Sequence, residues 1–323
     1  MGVFTRLAEV ELIDIAGAFG LGRVVAHRPV SAGTINSNFD VETEQGRYFV
    51  RVNEGKAEAD VAWEARLVRA LAEAGVATVP PVLAGDGRPY APLAGTRKWV
   101  SVFPWRGGRH REASEIDEAC AREVGATLAR FHTAALALPA AWRRGSIYDS
   151  EHLSVRYERI AKQVDPALAG AIEVLGEELA MIAAEAPRRR RAAYGMIHGD
   201  LFRDNVLWEG GEVTAILDFE QASGGSLAYD LAVAVNDWCW DGVPRLELAA
   251  ALVAGYDGVR KLSLADRDAL PIEVRAAAAR FTITRITDVY LARVHNPEKD
   301  FRAFLARCHA WRGPALGQLT SLL

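Results

Sequence analysis

Apolar positions follow two rhythms along this chain. From Val24 to Val52 they come in short β-type runs, Val24 to Val30, Asn38 to Thr43 and Arg47 to Val52, broken by Ser31 to Asn36 and by Glu44-Gln45-Gly46, which predicts an antiparallel meander. On either side the period is helical. Thr5 opens an amphipathic stretch reaching residue 19, with Leu7, Val10, Ile13 and Ala16 expected inward, and Lys56 to Ala74 repeats Val61, Glu64, Leu67, Val68 and Leu71 before Gly75. Pro80-Pro81 bars any continuation, and two further β-type runs flank Gly85-Asp86-Gly87; the second, Arg97 to Phe103, ends at Pro104. A lobe boundary is expected there, giving units 1–103 and 104–323. Beyond Gly107-Gly108 helical periods dominate, at 112–136, 150–185, 226–240, 245–257, 266–295 and 299–311. One interruption, residues 194–218, reads as strand, polar loop, strand, a Glu209-Gly210-Gly211-Glu212 turn and strand. A polar loop held between apolar strands is a good place for catalytic groups.

Composition narrows the choice of chemistry. With 323 residues, 50% apolar and 25% charged, the chain can bury a substantial core, and neither disorder nor a fibrous fold is expected. Lys and Arg number 38 against 42 Asp and Glu, a net charge of −4, so no broad field attracts nucleic acid or an anionic membrane. Any phosphate chemistry must be local. No apolar run approaches the roughly 18 residues of a spanning helix, and Met1 to Arg6 has no basic patch followed by an apolar core, so a cytoplasmic protein is expected. Cys120, Cys239 and Cys308 are an odd, scattered set without a CxxC pair, which suits a reducing compartment and suggests neither a disulfide framework nor a zinc site. The run Arg188 to Arg191 reads as a solvated interhelical loop in preference to a phosphate-binding patch.

The chemistry concentrates in His198-Gly199-Asp200-Leu201-Phe202-Arg203-Asp204-Asn205 and in Ile216-Leu217-Asp218-Phe219. An acid is followed by an amide five positions on, and a second acid stands at a strand end. Phosphoryl transfer asks a protein chiefly for positioning and for neutralisation of phosphate charge. Mg²⁺ takes a few hard oxygen ligands, so Asp218 and Asn205 suit a partial shell, which leaves Asp200 for an acceptor hydroxyl.

These motifs resemble the catalytic and metal-binding loops of the aminoglycoside phosphotransferase and choline kinase superfamily. The resemblance implies an α+β, two-lobed protein-kinase-like fold, with a small antiparallel-sheet N-lobe carrying one helix and a larger, mainly helical C-lobe. It implies ATP and Mg²⁺ as cofactors, Asp200 as the group that orients or deprotonates the acceptor, and Asn205 and Asp218 as metal ligands. His198 is expected to be structural, and Asp230, in Tyr229-Asp230-Leu231-Ala232, to brace the catalytic loop. On the nucleotide side Ser31, Gly33, Thr34 and Asn36 fall between two predicted strands and present small donors to phosphate, although the stretch does not match GxGxxG. The position of the kinase β3 lysine is taken by Arg51, whose partner acid is Glu64; the closest lysine, Lys56, lies beyond the strand. Ser101 and Phe103 belong to the expected adenine-binding hinge.

Within that superfamily the C-terminal half resembles the type II homoserine kinases. His198 to Leu207, Ala228 to Asn236 with Trp238-Cys239, and Arg275 through Arg280-Phe281 to Asp288 carry the likeness. It implies a small-molecule alcohol substrate, first L-homoserine in threonine biosynthesis, with Glu220, Trp238, Arg280, Arg285 and Asp288 as candidate substrate residues. Arg with Asp suits an acceptor that has both carboxylate and ammonium. Arg275, Arg285 and Asp288 are expected broadly toward one side of a helix, with Arg280 rotated by about 140° from Arg275, although at ideal spacing Asp288 is rotated as far in the opposite sense. Glu220-Gln221 departs from the subgroup, which commonly has an aromatic after the Asp-Phe pair. Choline, ethanolamine or an aminoglycoside as acceptor, and a non-catalytic kinase-like module, are the competing readings.

Overall fold

The structure, a computed structural model, describes residues 5–30 and 36–323. Ser31, Gly33 and Thr34 lie outside the described residues. Packing divides the chain into two units, Met1–Gly108 with Thr214–Glu220, and Arg109–Val213 with Gln221–Leu323.

The first unit begins with helix α1 (Glu9–Ala18), followed by strands β1 (Val24–Val30), β2 (Ser37–Thr43) and β3 (Gly46–Asn53), helix α2 (Glu58–Glu73), and strands β4 (Ala91–Pro92) and β5 (Trp99–Pro104). The strands make a five-stranded sheet in the order β1-β2-β3-β5-β4, every pairing antiparallel. The run expected before Gly85 is not a strand. Pro80 and Pro81 supply no amide hydrogen for a ladder, and Val82 makes a single backbone bond, to Val102 O at 2.8 Å. Phe39, Val41, Val50, Val52, Val100 and Val102 form the core with Leu12, Ile15, Ala16 and Phe19 from α1 and its C-terminal end. The apolar stripe of α1 is therefore shifted from expectation, leaving Val10 62% and Ile13 56% exposed. The helix starts at Glu9 rather than Thr5, and residues 12, 15, 16 and 19 then share the inward face. Alternation along β3 sends Val50 and Val52 into this core and Arg51 to the opposite face. The segment that carries Asp218 joins this unit through Ile216, whose N donates to Ala77 O at 2.7 Å and whose carbonyl accepts from Thr78 Oγ1 at 2.9 Å.

The second unit is mainly helical: α3 (Glu118–Leu136), α4 (Ser150–Ala161), α5 (Ala169–Ala184) and the short α6 (Ala186–Arg189). Then come β6 (Tyr194–Ile197), β7 (Val206–Glu209), β8 (Glu212–Ile216), which runs on into the first unit, and β9 (Ser223–Ser226). Helix α7 (Leu227–Trp238), strands β10 (Trp240–Asp241) and β11 (Val243–Pro244), and helices α8 (Leu246–Val259), α9 (Leu264–Arg285), α10 (Arg302–Trp311) and α11 (Pro314–Ser321) complete it. The stretch expected as one helix over 150–185 is broken where Asp165 caps a turn that starts at Pro166. Strand β9 and helix α11 have no counterpart in the sequence expectations: two glycines in a four-residue strand carry no apolar alternation. Helices α3 and α8 touch at backbone distance, since a Cβ on Gly125 would lie 1.9 Å from Leu252 O and one on Gly255 2.0 Å from Arg122 O. The arginine run is tied down, with Arg188 and Arg191 paired to Asp268 at 2.5 and 3.0 Å and Arg189 to buried Glu273 at 2.8 Å. No helix of the described residues is long and apolar enough to cross a membrane.

Candidate active site

In the first unit, two cations and three carboxylates converge. Arg51 Nη1 lies 3.0 Å from Glu64 Oε1 and 3.8 Å from Asp218 Oδ1, and Lys56 Nζ lies 3.3 Å from Glu64 Oε2 and 2.7 Å from Glu220 Oε2. Strand β3 delivers Arg51, the turn after it delivers Lys56, and the second turn of α2 delivers Glu64. Asn36 Nδ2 donates to Glu220 at 2.8 Å. Glu220 Oε2 is thus paired with Lys56 and Asn36, which draws this carboxylate toward the first unit's own cation. Ser101 faces Arg51 across the β3–β5 ladder, and its Oγ accepts from Asn53 Nδ2 at 3.1 Å. Phe103 lies beside the guanidinium, 5.4 Å from its ring centre.

Asp218 is strained and short of donors. Its φ is 60°, a region that costs a non-glycine residue roughly 1–2 kcal/mol, and its buried Oδ1 receives no hydrogen bond. Desolvation and the adjacent Glu220 charge push its carboxyl well above the usual range. Desolvation also works against Glu220, but Lys56 and Arg51 outweigh it and hold that carboxyl below its ordinary value. A carboxylate oxygen without a donor, in a group with three acids, fits a divalent cation.

In the second unit, β6 feeds the loop 198–205, and a buried acid on α7 fixes it. Asp230 accepts from His198 N and Gly199 N, both at 2.7 Å, and from His132 Nε2 at 2.9 Å. His132, on α3, bonds Tyr256 Oη of α8 at 2.7 Å through its other ring nitrogen. Burial holds this imidazole below its ordinary pKa despite the Asp230 charge, so it is neutral at pH 7. Asp230 is held below the carboxylate range because those donors outweigh its desolvation. The buried His198 ring takes Asp200 N at 3.3 Å, and Asn205 Nδ2 donates to Asp200 O at 2.8 Å, which turns the Asn205 amide oxygen the other way, as a metal ligand requires.

The Asp200 carboxylate meets two residues of this unit. Gln221 Nε2 donates to its Oδ2 at 3.1 Å, and Arg280 Nη1 stands 4.0 Å from its Oδ1. Arg280, the residue rotated away from the Arg275 side, is therefore the α9 arginine that reaches the loop. Arg275 pairs with buried Glu178 at 2.8 Å and Asp288 with Arg156 at 2.5 Å, both interhelical ion pairs. Asp288 is thereby spent on α4, against the expectation that it meets the acceptor. Arg285 donates to Asp300 O at 3.1 Å and covers the Phe304 ring. Trp238 is fully buried, its indole N–H donating to Leu201 O at 3.0 Å, so it supports the loop from below instead of walling a pocket.

Three residues in these clusters went unread in the sequence. Lys56 was passed over because it lies outside the strand, although its spacing of five from Arg51 lets a turn bring it back. Gln221 stood out only as a departure. His132 sits in an apolar helix face, where the single polar residue was the available signal.

The family model described as phosphotransferase enzyme family, APH, matches residues 26–262. A homoserine kinase of Methylobacterium radiotolerans is 33% identical over 292 residues, covering 89% of this chain and 88% of its own length. One from Neisseria meningitidis serogroup B is 32% identical over 317 residues, covering 97% and 98%. Among solved structures, an amicoumacin kinase in complex with AMP-PNP, Ca²⁺ and Ami has a TM-score of 0.74 at 16% identity, covering 95% of this chain and 94% of that one. A microcompartment-associated aminopropanol kinase has a TM-score of 0.69 at 22% identity, covering 96% and 100%. At those identities the two structures speak for the fold, the protein-kinase-like architecture described above.

Proposed function

We propose, for a chain that belongs to the phosphotransferase enzyme family and is a small-molecule kinase, that its reaction is transfer of the γ-phosphoryl group of ATP to the hydroxyl of L-homoserine. The observation that carries this is the likeness to homoserine kinases, 33% identity over 89% of the chain. ATP is the phosphoryl donor, by analogy with the nucleotide-bound fold relatives, and Mg²⁺ the metal. Asn205 and Asp218 would hold the ion, which supplies charge neutralisation on the phosphates. Asp200 orients the acceptor hydroxyl in line with the γ-phosphorus and takes its proton as the new O–P bond forms. Arg51, braced by Glu64 and seconded by Lys56, holds the non-transferred phosphates, and Ser31, Gly33, Thr34 and Asn36 are the proposed small donors to them. Ser101 and Phe103 offer the adenine edge its backbone groups. Asp230 and His198 keep the loop in shape.

The amino-alcohol and aminoglycoside readings lose support at two acids. Glu220 is paired with Lys56, and Asp237 is paired with Arg203 at 3.1 Å, so neither is available for an ammonium-rich acceptor. The proposed division of labour is nucleotide binding in 1–103 and acceptor binding in 104–323, whereas packing sets the break at Gly108 and adds Thr214–Glu220 to the first unit. Three buried free thiols suit a cytoplasmic setting.

The test is ADP release from ATP and Mg²⁺ by purified protein, with L-homoserine, L-threonine, L-serine, choline, ethanolamine and kanamycin as acceptors. Homoserine-dependent release that falls about a hundredfold to ten-thousandfold in Asp200→Asn is expected. Release with choline or kanamycin alone would discard homoserine, and near-normal turnover of Asp200→Asn would discard the assigned base.

A further inference from the structure

We infer that Gln221 is a positioning residue for phosphoryl transfer, its side-chain amide clamped by Arg280 and holding the Asp200 carboxylate in one orientation. The inference rests on the reading of Asp200 as the group that meets the acceptor hydroxyl. Arg280 Nη2 donates to Gln221 Oε1, and Gln221 Nε2 donates to Asp200 Oδ2 at 3.1 Å. A guanidinium only donates and an ionised carboxylate only accepts, so an amide lying between the two has a single allowed orientation, oxygen to the arginine and nitrogen to the aspartate. The flip that usually interchanges the two ends of a glutamine is excluded here by its neighbours.

The clamp is itself immobile. Arg280 is 2% exposed, and its guanidinium lies 4.0 Å from the centre of the Tyr148 ring and 3.8 Å from that of Phe281, held between two aromatic faces. Its Nε has no hydrogen-bond partner, so the donor to Gln221 is among the few polar contacts that settle the group. Topology brings the other end into place. Strands β6 and β9 pair antiparallel with Ile197 opposite Ser223, so the chain leaving β6 passes the chain entering β9, and Asp200 arrives beside Gln221. At the same crossing a Cβ on Gly199 would lie 3.5 Å from Gln221 O.

A carboxylate that must line up an oxygen nucleophile loses rate steeply when it is misplaced by about 1 Å. An aspartate on a loop has two side-chain torsions to settle. The backbone bonds from His198 and Asn205 fix the Asp200 main chain, and the Gln221 amide fixes the rest of it by committing Oδ2. The departure of this chain from the aromatic expected after Asp-Phe is then a change in how the loop acid is held.

Gln221→Glu separates this role from a merely structural one. It keeps an acceptor for Arg280 and turns that contact into an ion pair, but replaces the donor facing Asp200 by a like charge. The expected result is a melting temperature no lower than that of the parent, KM for ATP within about twofold, and acceptor-dependent kcat lower by about tenfold to a hundredfold. Gln221→Met, which keeps the length and loses both bonds, is expected to lower kcat in the same range and serves if the Glu variant does not fold. In an Asp200→Asn background, measured in single turnovers with enzyme in excess, Gln221→Glu is expected to cause no further loss, because there is no carboxylate left to hold. Parental kcat in Gln221→Glu, or a loss that multiplies with that of Asp200→Asn, would overturn the inference. Parental turnover in Asp200→Asn alone would instead overturn the reading of Asp200 on which it rests.

Discussion

Asp218 in the first unit, two residues beyond β8, and Asp230 in the second, in the first turn of α7, are both crowded acids, and their surroundings treat them in opposite ways. Asp230 is fully buried and saturated: two backbone amides and an imidazole donate to it, and its carboxyl stays below the usual range because these donors outweigh desolvation. Asp218 has a left-handed backbone, an oxygen with no donor and two other acids in its group, and its carboxyl is pushed up. An acid whose two oxygens both accept inside the fold fixes geometry. One held in strain without donors has capacity left for something that arrives later, which in the proposed reaction is a cation and the phosphates that come with it.

The sharpest way to break this contrast is Asp218→Asn. Removing the charge should lower turnover about a thousandfold, several kcal/mol of transition-state stabilisation, while the ligand-free protein melts at the same temperature or higher because a repelling charge has gone. A fall in melting temperature comparable to the activity loss would make Asp218 a structural acid like Asp230. Asp230→Asn should do the reverse. The amide presents NH₂ to a site that has three donors, and a stability loss of about 3 kcal/mol is expected in urea unfolding; less than about 1 kcal/mol would sink the claim that this acid braces the loop.

The smallest effect separates the two ends of the brace by pH. The buried His132 imidazole has a folded pKa below its ordinary value of about 6.5, so the unfolded chain binds its proton first and stability drops as pH falls through that value. Asp230, with a folded pKa below about 3.8, keeps its contribution until pH falls lower still. Between pH 7 and 5 the slope attributed to this pair therefore belongs to the histidine, up to about 1.4 kcal/mol per pH unit, and His132→Gln should flatten it. An unchanged slope in the variant would place the sensitivity elsewhere.

The strands of the first unit were legible because alternation and turn residues agree: β1 begins and ends where the apolar runs do, and β2 and β3 are within a residue of expectation at each end. The shifted stripe of α1 was not, since Leu7, Val10 and Ile13 have a helical period as good as that of Leu12, Ile15 and Phe19, and only the position of the first turn decides between them. Asp200, Asn205 and Asp218 stand out in the sequence because the proposed chemistry needs those residue types at those spacings. Gln221, Lys56 and His132 could not, because each owes its place to a partner distant in the chain or to a turn whose path the pattern does not encode. Arg280 shows the same limit from the other side: a helical wheel gives its angle, and only the strand crossing of β6 with β9 says what that angle faces.

The glycine contact of α3 with α8 has a consequence in time. It seats His132 against Tyr256, a pair 124 residues apart in sequence, with the catalytic loop lying between them in the chain. As a ribosome extends the polypeptide, Asp200 and Asn205 are made well before α8 exists to receive the histidine. Long-range contacts of this kind close late because the entropy of the intervening segment must be overcome first. The loop is then complete in composition before it is braced in shape, and the His132 end of the brace is settled only after helix α8 has docked on α3.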